Sequence, residues 1–341
     1  MRLPSLLLPL LILASSGANA GDLSSVFSKV DKAVVVIATE ATQSKISRHG
    51  IATATESGLG SGVIISPKGT VLTAAHVVDN ADRVKVKLLN GDTYTAKVVS
   101  SVLPADVALI QLQAVDKKLP YVDVSDSDRA KVGTEIFIVG APYGLEHTLT
   151  VGYLSGRRLI SGEDTLLDVE FLQTDAAVNQ GNSGGPMFTA KGELIGIVSH
   201  IRSQSGGSEG LGFAASSKMI QRSLLDQPPI WFGMEYIPLR GDLAEAMNIG
   251  ADEGLLVQRV AKGSLGEAFG LRESYIPATV SGHDVFFGGD IILQLGGQNI
   301  YLTHAGRDRI FKYFNGVAAG KPLEMTVLRN GERMTLTAAK P

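Results

Sequence analysis

The sequence predicts a mainly β protein, in which an antiparallel barrel or sandwich is followed by a smaller unit of mixed α and β structure. Between Ala33 and Ala215, many short apolar segments such as Leu194–Val198 are separated by glycine, proline and Asn-Gly pairs. This pattern is typical of short antiparallel strands, and helical periodicity is nearly absent from the region. After Pro228-Pro229 the pattern changes to short strands mixed with helix-like runs, which predicts a domain boundary there.

The composition is that of an ordinary globular protein. The chain has 341 residues, of which 44% are hydrophobic and 19% charged, and this length suffices for one or two domains with real cores. Its 31 basic and 34 acidic residues give a net charge of −3, so there is no electrostatic reason to expect nucleic-acid binding. Cysteine is absent, which excludes disulfides, thiolate metal sites and a cysteine nucleophile.

Residues 1–20 have the pattern of a secretory signal peptide. Met1-Arg2 is a basic start, Leu6 to Leu13 is an apolar core, and Ala18-Asn19-Ala20 is a small-x-small cleavage pattern. A membrane anchor fits less well, because the apolar run is too short to cross a bilayer. We therefore expect cleavage near Ala20 and an exported mature protein without a membrane span.

The segment Gly181–Pro186, with the sequence Gly-Asn-Ser-Gly-Gly-Pro, stands between two apolar strand-like runs. Glycine at this density allows a tight turn and a close approach of the backbone to a ligand. A serine in such a turn can simply cap it, and taken alone that interpretation is the simpler one. As a nucleophile, Ser183 would instead place its own N–H and that of Gly181 at the point where an oxyanion develops.

Two other residues complete a mechanism. His76 follows the apolar run that begins at Leu72, and Asp106 opens the apolar run that ends at Ile110. A serine hydroxyl needs a base to take its proton, histidine suits that role near neutral pH, and a buried aspartate fixes the imidazole. The chain order His, Asp, Ser is the chymotrypsin order. It predicts a double β-barrel with the three residues in the cleft between the barrels.

The motifs around these residues resemble those of a known family. Thr73–His76, Asp106–Leu109 and Gly181–Pro186 look like the signatures of trypsin-like serine proteases, and Gln173–Ala177 ahead of the serine turn narrows the resemblance to the HtrA/Deg family. The resemblance implies a chymotrypsin-like protease domain over residues 21–228 and one small α+β PDZ domain over residues 229–341. It also implies a periplasmic enzyme that degrades unfolded or misfolded polypeptides and assembles as a homotrimer or a multiple of it.

The serine turn departs from digestive trypsins at one position. They carry an aspartate before the serine, which pairs with a newly cut N-terminus, whereas this chain has the neutral Asn182. We therefore expect an oxyanion hole of Gly181, Asn182 and Ser183, with the Gly181 and Ser183 amides as donors. Its active shape would be set by neighbouring loops that respond to substrate or partner binding.

The same resemblance suggests a specificity pocket lined by four residues, which are Ala177, Ser199, His200 and Ile201. Ala177 stands where a trypsin carries its charged pocket base, so we expect a small apolar pocket. Alternatively, Ile201 is an ordinary core residue.

A panel of reporter peptides varied at the residue before the cut should show cleavage after Val, Ala or Ile. A preference for Lys or Arg would refute the assignment.

The C-terminal region resembles a PDZ domain at Glu253–Val257 and at Gly288–Ile292. The resemblance implies that Gly254, Leu255, Leu256 and Val257 bind the C-termini of peptides, which would add as a strand beside Leu255–Gln258 and face the helix Thr303–Phe314. Glycine-flanked apolar strands also occur in many other folds. Glu273–Phe287 looks inserted relative to a minimal PDZ domain.

No metal or cofactor is expected. The histidines outside the triad are isolated, and neither metal-ligand spacing nor a nucleotide-binding loop occurs. Two other functions remain open on the sequence alone. One is a PDZ-containing chaperone or peptide-binding protein with little proteolysis, against which the complete triad argues. The other is an esterase that uses the same triad.

Overall fold

The computed structural model describes residues 22–47, 50–162, 167–203, 205–227, 229–280 and 283–341. The predicted signal peptide and Pro228, at the predicted boundary, lie outside these residues. Six α-helices occur among the described residues: α1 Ser24–Val30, α2 Ala75–Val78, α3 Ser217–Ile220, α4 Asp242–Ala246, α5 Leu265–Phe269 and α6 His304–Gly316. The predicted helix at Thr303–Phe314 is α6, with Thr303 as its N-cap: the Thr303 hydroxyl accepts a hydrogen bond from the Gly306 amide.

The first barrel is a closed sheet of six strands in the order β1-β2-β3-β6-β5-β4. Its strands are β1 Val34–Ser47, β2 Gly50–Ile64, β3 Thr70–Thr73, β4 Arg83–Leu88, β5 Thr93–Val102 and β6 Val107–Leu112. Strand β4 alternates exposed and buried side chains along its whole length, as expected where one face packs on a core. Closure leaves neither edge of the sheet unpaired.

The second barrel closes in the order β10-β11-β12-β9-β8-β7. Its strands are β7 Glu135–Gly140, β8 Thr148–Ile160, β9 Val169–Thr174, β10 Pro186–Thr189, β11 Leu194–Ile201 and β12 Gly212–Ser216. One hydrophobic cluster contains Val63 and Ile110 of the first barrel together with Phe137 and Phe188 of the second. The two barrels therefore pack on each other, and the predicted double barrel is confirmed.

The segment from Ala41 to Leu59, which composition predicts to be a long loop, has a different structure. Strands β1 and β2 continue through it as an antiparallel ladder whose register runs from Val34 opposite Val63 to Ser47 opposite Gly50. Thr53 and Thr55 of β2 are β-branched residues, which favour strands. The Ser, Thr and Gly content of residues 41–59 is typical of a loop and does not reveal this pairing.

The C-terminal sheet has the order β13-β14-β17-β19-β20, with β18 paired to β17. Its strands are β13 Met234–Arg240, β14 Glu253–Val260, β17 Ile291–Leu295, β18 Gln298–Asn299, β19 Pro322–Arg329 and β20 Glu332–Ala339. Leu323 and Phe314 are buried in its own hydrophobic cluster. The region after residue 229 contains both helices and strands, and the predicted mixture of α and β structure is confirmed.

The predicted insertion at Glu273–Phe287 forms a hairpin of β15 Ile276–Val280 and β16 His283–Phe287. It is attached to β14 through Gln258. The side-chain amide of Gln258 donates to the Phe286 carbonyl at 2.8 Å, and its side-chain oxygen accepts from the Phe286 amide at 2.9 Å. Such a two-sided bond continues the pairing of the backbone by means of a side chain.

The prediction that a peptide adds as a strand beside Leu255–Gln258 is wrong. In the structure Leu255 and Leu256 pair with β13 on one side and with β17 on the other. Their backbone donors and acceptors are therefore already used, and an added strand needs a free edge. The free edge on this side of the sheet belongs to β13.

Candidate active site

His76 and Asp106 are held together at the edge of the first barrel. His76 lies in the short helix α2, directly after β3, and Asp106 directly precedes β6. Nδ1 of His76 is 2.9 Å from both carboxylate oxygens of Asp106, and the His76 backbone amide donates to Oδ1 at 3.0 Å. The side chain of Asp106 is 19% exposed and that of His76 is 50% exposed. The aspartate is thus covered while the imidazole faces solvent.

Asp106 is charged although it is largely buried. Burial raises the pKa of Asp106. This effect is outweighed by the hydrogen bonds from His76 and Ser199 and by the charge that His76 can carry, all of which lower the pKa. The pKa of Asp106 therefore lies below its ordinary value. Its backbone has φ +52°, in the left-handed region that Asp and Asn tolerate best among residues other than glycine. A strained conformation of this kind persists only where the surroundings hold it, and such residues cluster at functional sites.

Ser199 does not have the place that the sequence predicts for it. Its hydroxyl is buried and donates to Oδ2 of Asp106 at 2.5 Å, so its side chain does not line a specificity pocket. The β11–β12 register shifts between Val198 and His200, and a β-bulge of this kind turns a side chain out of its regular direction. The sequence carries no signal for a bulge at this position.

The turn that carries Ser183 is fixed from both barrels. The Ser61 amide of β2 donates to the Ser183 carbonyl at 2.8 Å, and the Ser61 hydroxyl donates to the Gly181 carbonyl at 2.7 Å. From the second barrel, the Gly184 amide donates to the Val198 carbonyl at 2.7 Å. Ser61 is thus a second residue that sequence reasoning missed, because its role depends on contacts across the cleft.

Glycine is required at two positions of this turn. Gly181 has φ +101°, and a Cβ there would lie 2.1 Å from the Ala141 carbonyl oxygen. Gly184 has φ +82°, and its Cβ would lie 2.2 Å from the Ser61 carbonyl oxygen. Both the backbone conformation and the close approach therefore exclude any side chain.

The amides of the turn divide into used and unused donors. The Asn182 amide donates to the Asn179 carbonyl at 3.0 Å, so the expected place of Asn182 in the oxyanion hole is wrong for its N–H. Its side chain is buried, and Nδ2 donates to the Ala177 carbonyl at 3.4 Å. The Gly181 and Ser183 amides make no backbone hydrogen bond within the part of the chain described.

The Ser183 hydroxyl donates to the Ser199 carbonyl at 3.4 Å. Among the described residues, no hydrogen bond joins it to His76. A rotation about the Ser183 Cα–Cβ bond changes its partner, since staggered rotamers of a serine are close in energy. Long or missing catalytic hydrogen bonds are common in structures without substrate and tighten when substrate binds.

The other expected pocket residues have separate surroundings. Ala177 is exposed beside the turn. Ile201 is half-buried and packs against the core of the second barrel, which favours the alternative that it is a core residue. The His200 ring lies between Phe171 and Phe213, with centroid distances of 5.1 and 5.0 Å, so it does not form a small apolar wall. Of the four, only Ala177 keeps the environment that the pocket assignment needs.

Among the residues that the structure describes, no cluster of three or more His, Asp or Glu side chains is arranged to hold a metal ion. None of the helices in the described ranges is both long enough and apolar enough to span a membrane.

Two closed six-stranded barrels with a histidine, an aspartate and a serine where they meet define the class of chymotrypsin-like serine proteases. The family model described as "Trypsin-like peptidase domain" matches residues 60–197. Among solved structures, the chain is similar to "HtrA-type protease AlgW with tripeptide", with 32% identity, a TM-score of 0.52 and coverage of 94% of this chain and 96% of that one. The same protease with a decapeptide, as the variant AlgWS227A, gives a TM-score of 0.56 at 29% identity, covering 94% and 97% of the two chains.

Curated relatives agree with these structures. "Probable periplasmic serine endoprotease DegP-like" of Marinomonas sp. (strain MWYL1) is 37% identical over 82% of this chain and 56% of its own length. "Putative serine protease HhoB" of Synechocystis sp. is 33% identical over 84% of this chain and 67% of its own length. The chain spans about half the length of the first relative, 56%. It belongs to the HtrA/Deg family of trypsin-like serine proteases.

Proposed function

We propose that this protein is a serine endopeptidase that degrades unfolded or damaged polypeptides. The observation that carries the proposal is the pair of 2.9 Å contacts between His76 Nδ1 and the Asp106 carboxylate. Ser183 lies on a turn in which two amides make no backbone hydrogen bond with the described residues. Ser183 attacks the scissile carbonyl, and His76 takes the hydroxyl proton and returns it to the leaving amine. Water then cleaves the acyl-enzyme by the same steps in reverse order.

Two opposite charges develop when the tetrahedral intermediate forms, and different groups stabilise each of them. Asp106 orients His76 and stabilises its imidazolium, which forms when the proton is transferred. The Gly181 and Ser183 amides stabilise the oxyanion, and preorganised donors of this kind each contribute about 3 kcal/mol to the stabilisation of the transition state.

Removal of the proton from Ser183 requires neutral His76, so activity should fall on the acid side of the pH profile.

The proposed division of the chain is a signal peptide over residues 1–20, a protease domain over 21–228 and a PDZ domain over 229–341. Export to the periplasm is supported by relatives that are named periplasmic proteases. Assembly as a homotrimer rests on the family resemblance. The helix α1, in which Val26 and Phe27 are only half-buried, is the surface proposed to carry it.

For the PDZ domain we place the peptide site at the free edge of β13. A cavity of about 240 Å³ lies beside this edge and is lined by Met234 and Tyr236 of β13 and by Ile310 and Phe311 of α6. A peptide could extend the sheet at β13 and insert an apolar side chain into the cavity. Residues 102–104 of the first barrel line the same cavity, so a bound peptide would press on the protease domain.

The C-terminal region also contacts the first barrel, both at β1 and in the segment that follows His76. The Trp231 indole donates to Asp79 at 3.0 Å. The buried Arg259 donates to the Thr42 carbonyl at 3.0 Å and to Asp82 at 3.3 Å. Burial raises the pKa of Asp79 to about 6, although bonds from Ser101 and Trp231 oppose the shift. These contacts support regulation of the protease by the C-terminal domain.

The function and its regulation can be tested in one assay. Casein, an unfolded substrate, should be cut into fragments, and a peptide that ends in an apolar residue with a free carboxylate should increase the rate several-fold. The matched control is the same peptide with an amidated C-terminus, which lacks the anion that the PDZ site would hold. Absence of fragments in every arm would overturn the protease. Cleavage that neither peptide changes would overturn only the regulation.

A further inference from the structure

His200 is half-exposed and tied to the catalytic aspartate through one intermediate residue. Nδ1 of His200 is 2.9 Å from the Ser199 hydroxyl oxygen, and that hydroxyl donates to Asp106 Oδ2 at 2.5 Å. The low pKa of Asp106 makes its carboxylate an acceptor only. The single Ser199 proton is therefore used on Asp106, and the remaining bond to Ser199 must be donated by His200 as Nδ1–H.

The surroundings of His200 fix this ring in place. It stacks on Phe213 at an interplanar angle of 16° and meets the edge of Phe171 at 80°. Phe213 is also its direct partner across the β11–β12 ladder. A ring held between two aromatic side chains has little freedom to rotate, so its Nδ1–H stays directed at Ser199.

The charge state of His200 is set by the same surroundings. Burial lowers the pKa of His200; the neighbouring Asp106 opposes this and His76 adds to it. Among the described residues, Asp106 and His76 are the charged groups that act on the ring, while β9 and β12 face it with the apolar rings of Phe171 and Phe213. His200 is thus favoured as the neutral tautomer with its proton on Nδ1, which is the donor that the geometry needs.

We propose that His200 is a positioning residue for the reaction: it holds the Ser199 hydroxyl on Asp106 and thereby keeps the Asp106 carboxylate directed at His76. This proposal rests on the proposed proteolytic function. A chain of hydrogen bonds of this kind polarises its members and limits their motion. Without the His200 donor, the Ser199 hydroxyl is free to turn away, and Asp106 then loses one of the bonds that neutralise and orient it.

The test uses two substitutions at position 200 in the full chain. His200→Phe keeps an aromatic ring between Phe171 and Phe213 but removes the donor, whereas His200→Asn places an amide N–H near the position of Nδ1. His200→Phe should lower kcat on a peptide reporter about fivefold with an unchanged KM, since the bond is used in positioning and not in substrate binding. His200→Asn should recover most of this loss. If both variants retain the wild-type kcat, the proposal is overturned.

The pH dependence of kcat/KM distinguishes the positioning role of His200 from a purely structural role, which would not change it. A less neutralised Asp106 holds the His76 imidazolium more tightly, so the acid limb of kcat/KM should move to higher pH in His200→Phe. Ser199→Ala should cause the same displacement and the same loss. The double variant should lose no more than either single one, because both act through one bond. If the kcat losses of the two single variants multiplied in the double variant, the proposed action of His200 through Ser199 would be contradicted.

A measurement without catalysis separates this proposal from the proposed function. In protein labelled with ¹⁵N-histidine, the Nδ1–H signal of His200 is identified by its absence from His200→Phe. We expect this signal to be slow to exchange in the wild type and to be lost in Ser199→Ala. A wild type that shows the signal but cuts no substrate would refute the protease and leave the His200–Ser199 bond standing. If the wild type cuts casein but shows no Nδ1–H signal of His200, only the proposed role of His200 is refuted.

Discussion

Replacing Ser183 with Ala should lower kcat on a peptide reporter by about 10⁶-fold, since loss of the nucleophile in serine proteases has an effect of this size. Ser183→Ala removes the oxygen atom that is proposed to form the acyl-enzyme. The Gly181 and Ser183 amides remain, so a residual rate about 10³-fold above that of water can persist through oxyanion stabilisation and binding. The measurement is the initial rate of reporter cleavage, together with labelling by a serine-directed phosphonate, which should fail in the variant.

The matched control is Ser155→Ala. Ser155 is an exposed serine of the same barrel, and its hydroxyl donates to the Tyr153 carbonyl of its own strand. It should retain the wild-type rate and become labelled. Ser183→Ala should also keep the wild-type melting temperature, because the Ser183 carbonyl, and not its hydroxyl, accepts the bond from Ser61. Proteolysis that survives in Ser183→Ala with full labelling would show that another residue is the nucleophile.

Asp106→Asn should lower kcat by about 10⁴-fold, the size of effect found when a triad aspartate becomes an amide. An Asn Oδ1 still accepts the Nδ1–H of His76, but the amide can also present its N–H₂ to the ring and stabilise the wrong tautomer. It cannot stabilise the imidazolium by charge in either case. The measurement is kcat for the reporter from pH 6 to above pH 9, at saturating substrate.

This substitution separates catalysis from folding. Asn tolerates the φ of +52° at position 106 as well as Asp does, so the backbone strain is unchanged. The control is Asp123→Asn, which changes an exposed aspartate and should leave kcat within twofold of the wild type. If Asp106→Asn kept more than a tenth of the wild-type kcat, His76 would not depend on Asp106 for its orientation.

The sequence allowed the fold and the reacting groups to be predicted, because both leave local signals. Strands of the barrels show as short apolar segments, and His76, Asp106 and Ser183 each lie in a recognisable motif. The Gly181 and Ser183 amides, which the sequence predicts as oxyanion donors because glycine density marks a turn that can approach a ligand, make no backbone hydrogen bond among the described residues. The catalytic roles of these residues stay predictions until the variants are measured.

Contacts between distant segments could not be predicted in the same way. Ser61 bonds to Gly181 across the cleft, and nothing in the residues around Ser61 indicates that partner. Ser199 turns onto Asp106 at a bulge in β11, and a bulge shifts the side chains without changing the apolar pattern of the strand. This is why Ser199 and His200 were assigned to a pocket.

The peptide site in the C-terminal sheet was misplaced for a related reason. Glu253–Val257 has the apolar and glycine pattern of a ligand-binding strand, but a strand in the middle of a sheet has the same pattern. Only the order of strands decides which has a free edge, and this order is set by pairing between segments far apart in the chain. The correct edge, β13, begins at Met234.

The bond from the Ser61 hydroxyl to the Gly181 carbonyl joins residues 120 positions apart in the chain. It also joins the two barrels, so the turn is supported only after the first barrel has formed and the second has been synthesised as far as β10. A chain that ends between Asp106 and Gly181 holds two of the three proposed catalytic residues but lacks Ser183. The proposed triad can therefore come together only after the chain has been made as far as the turn of the second barrel.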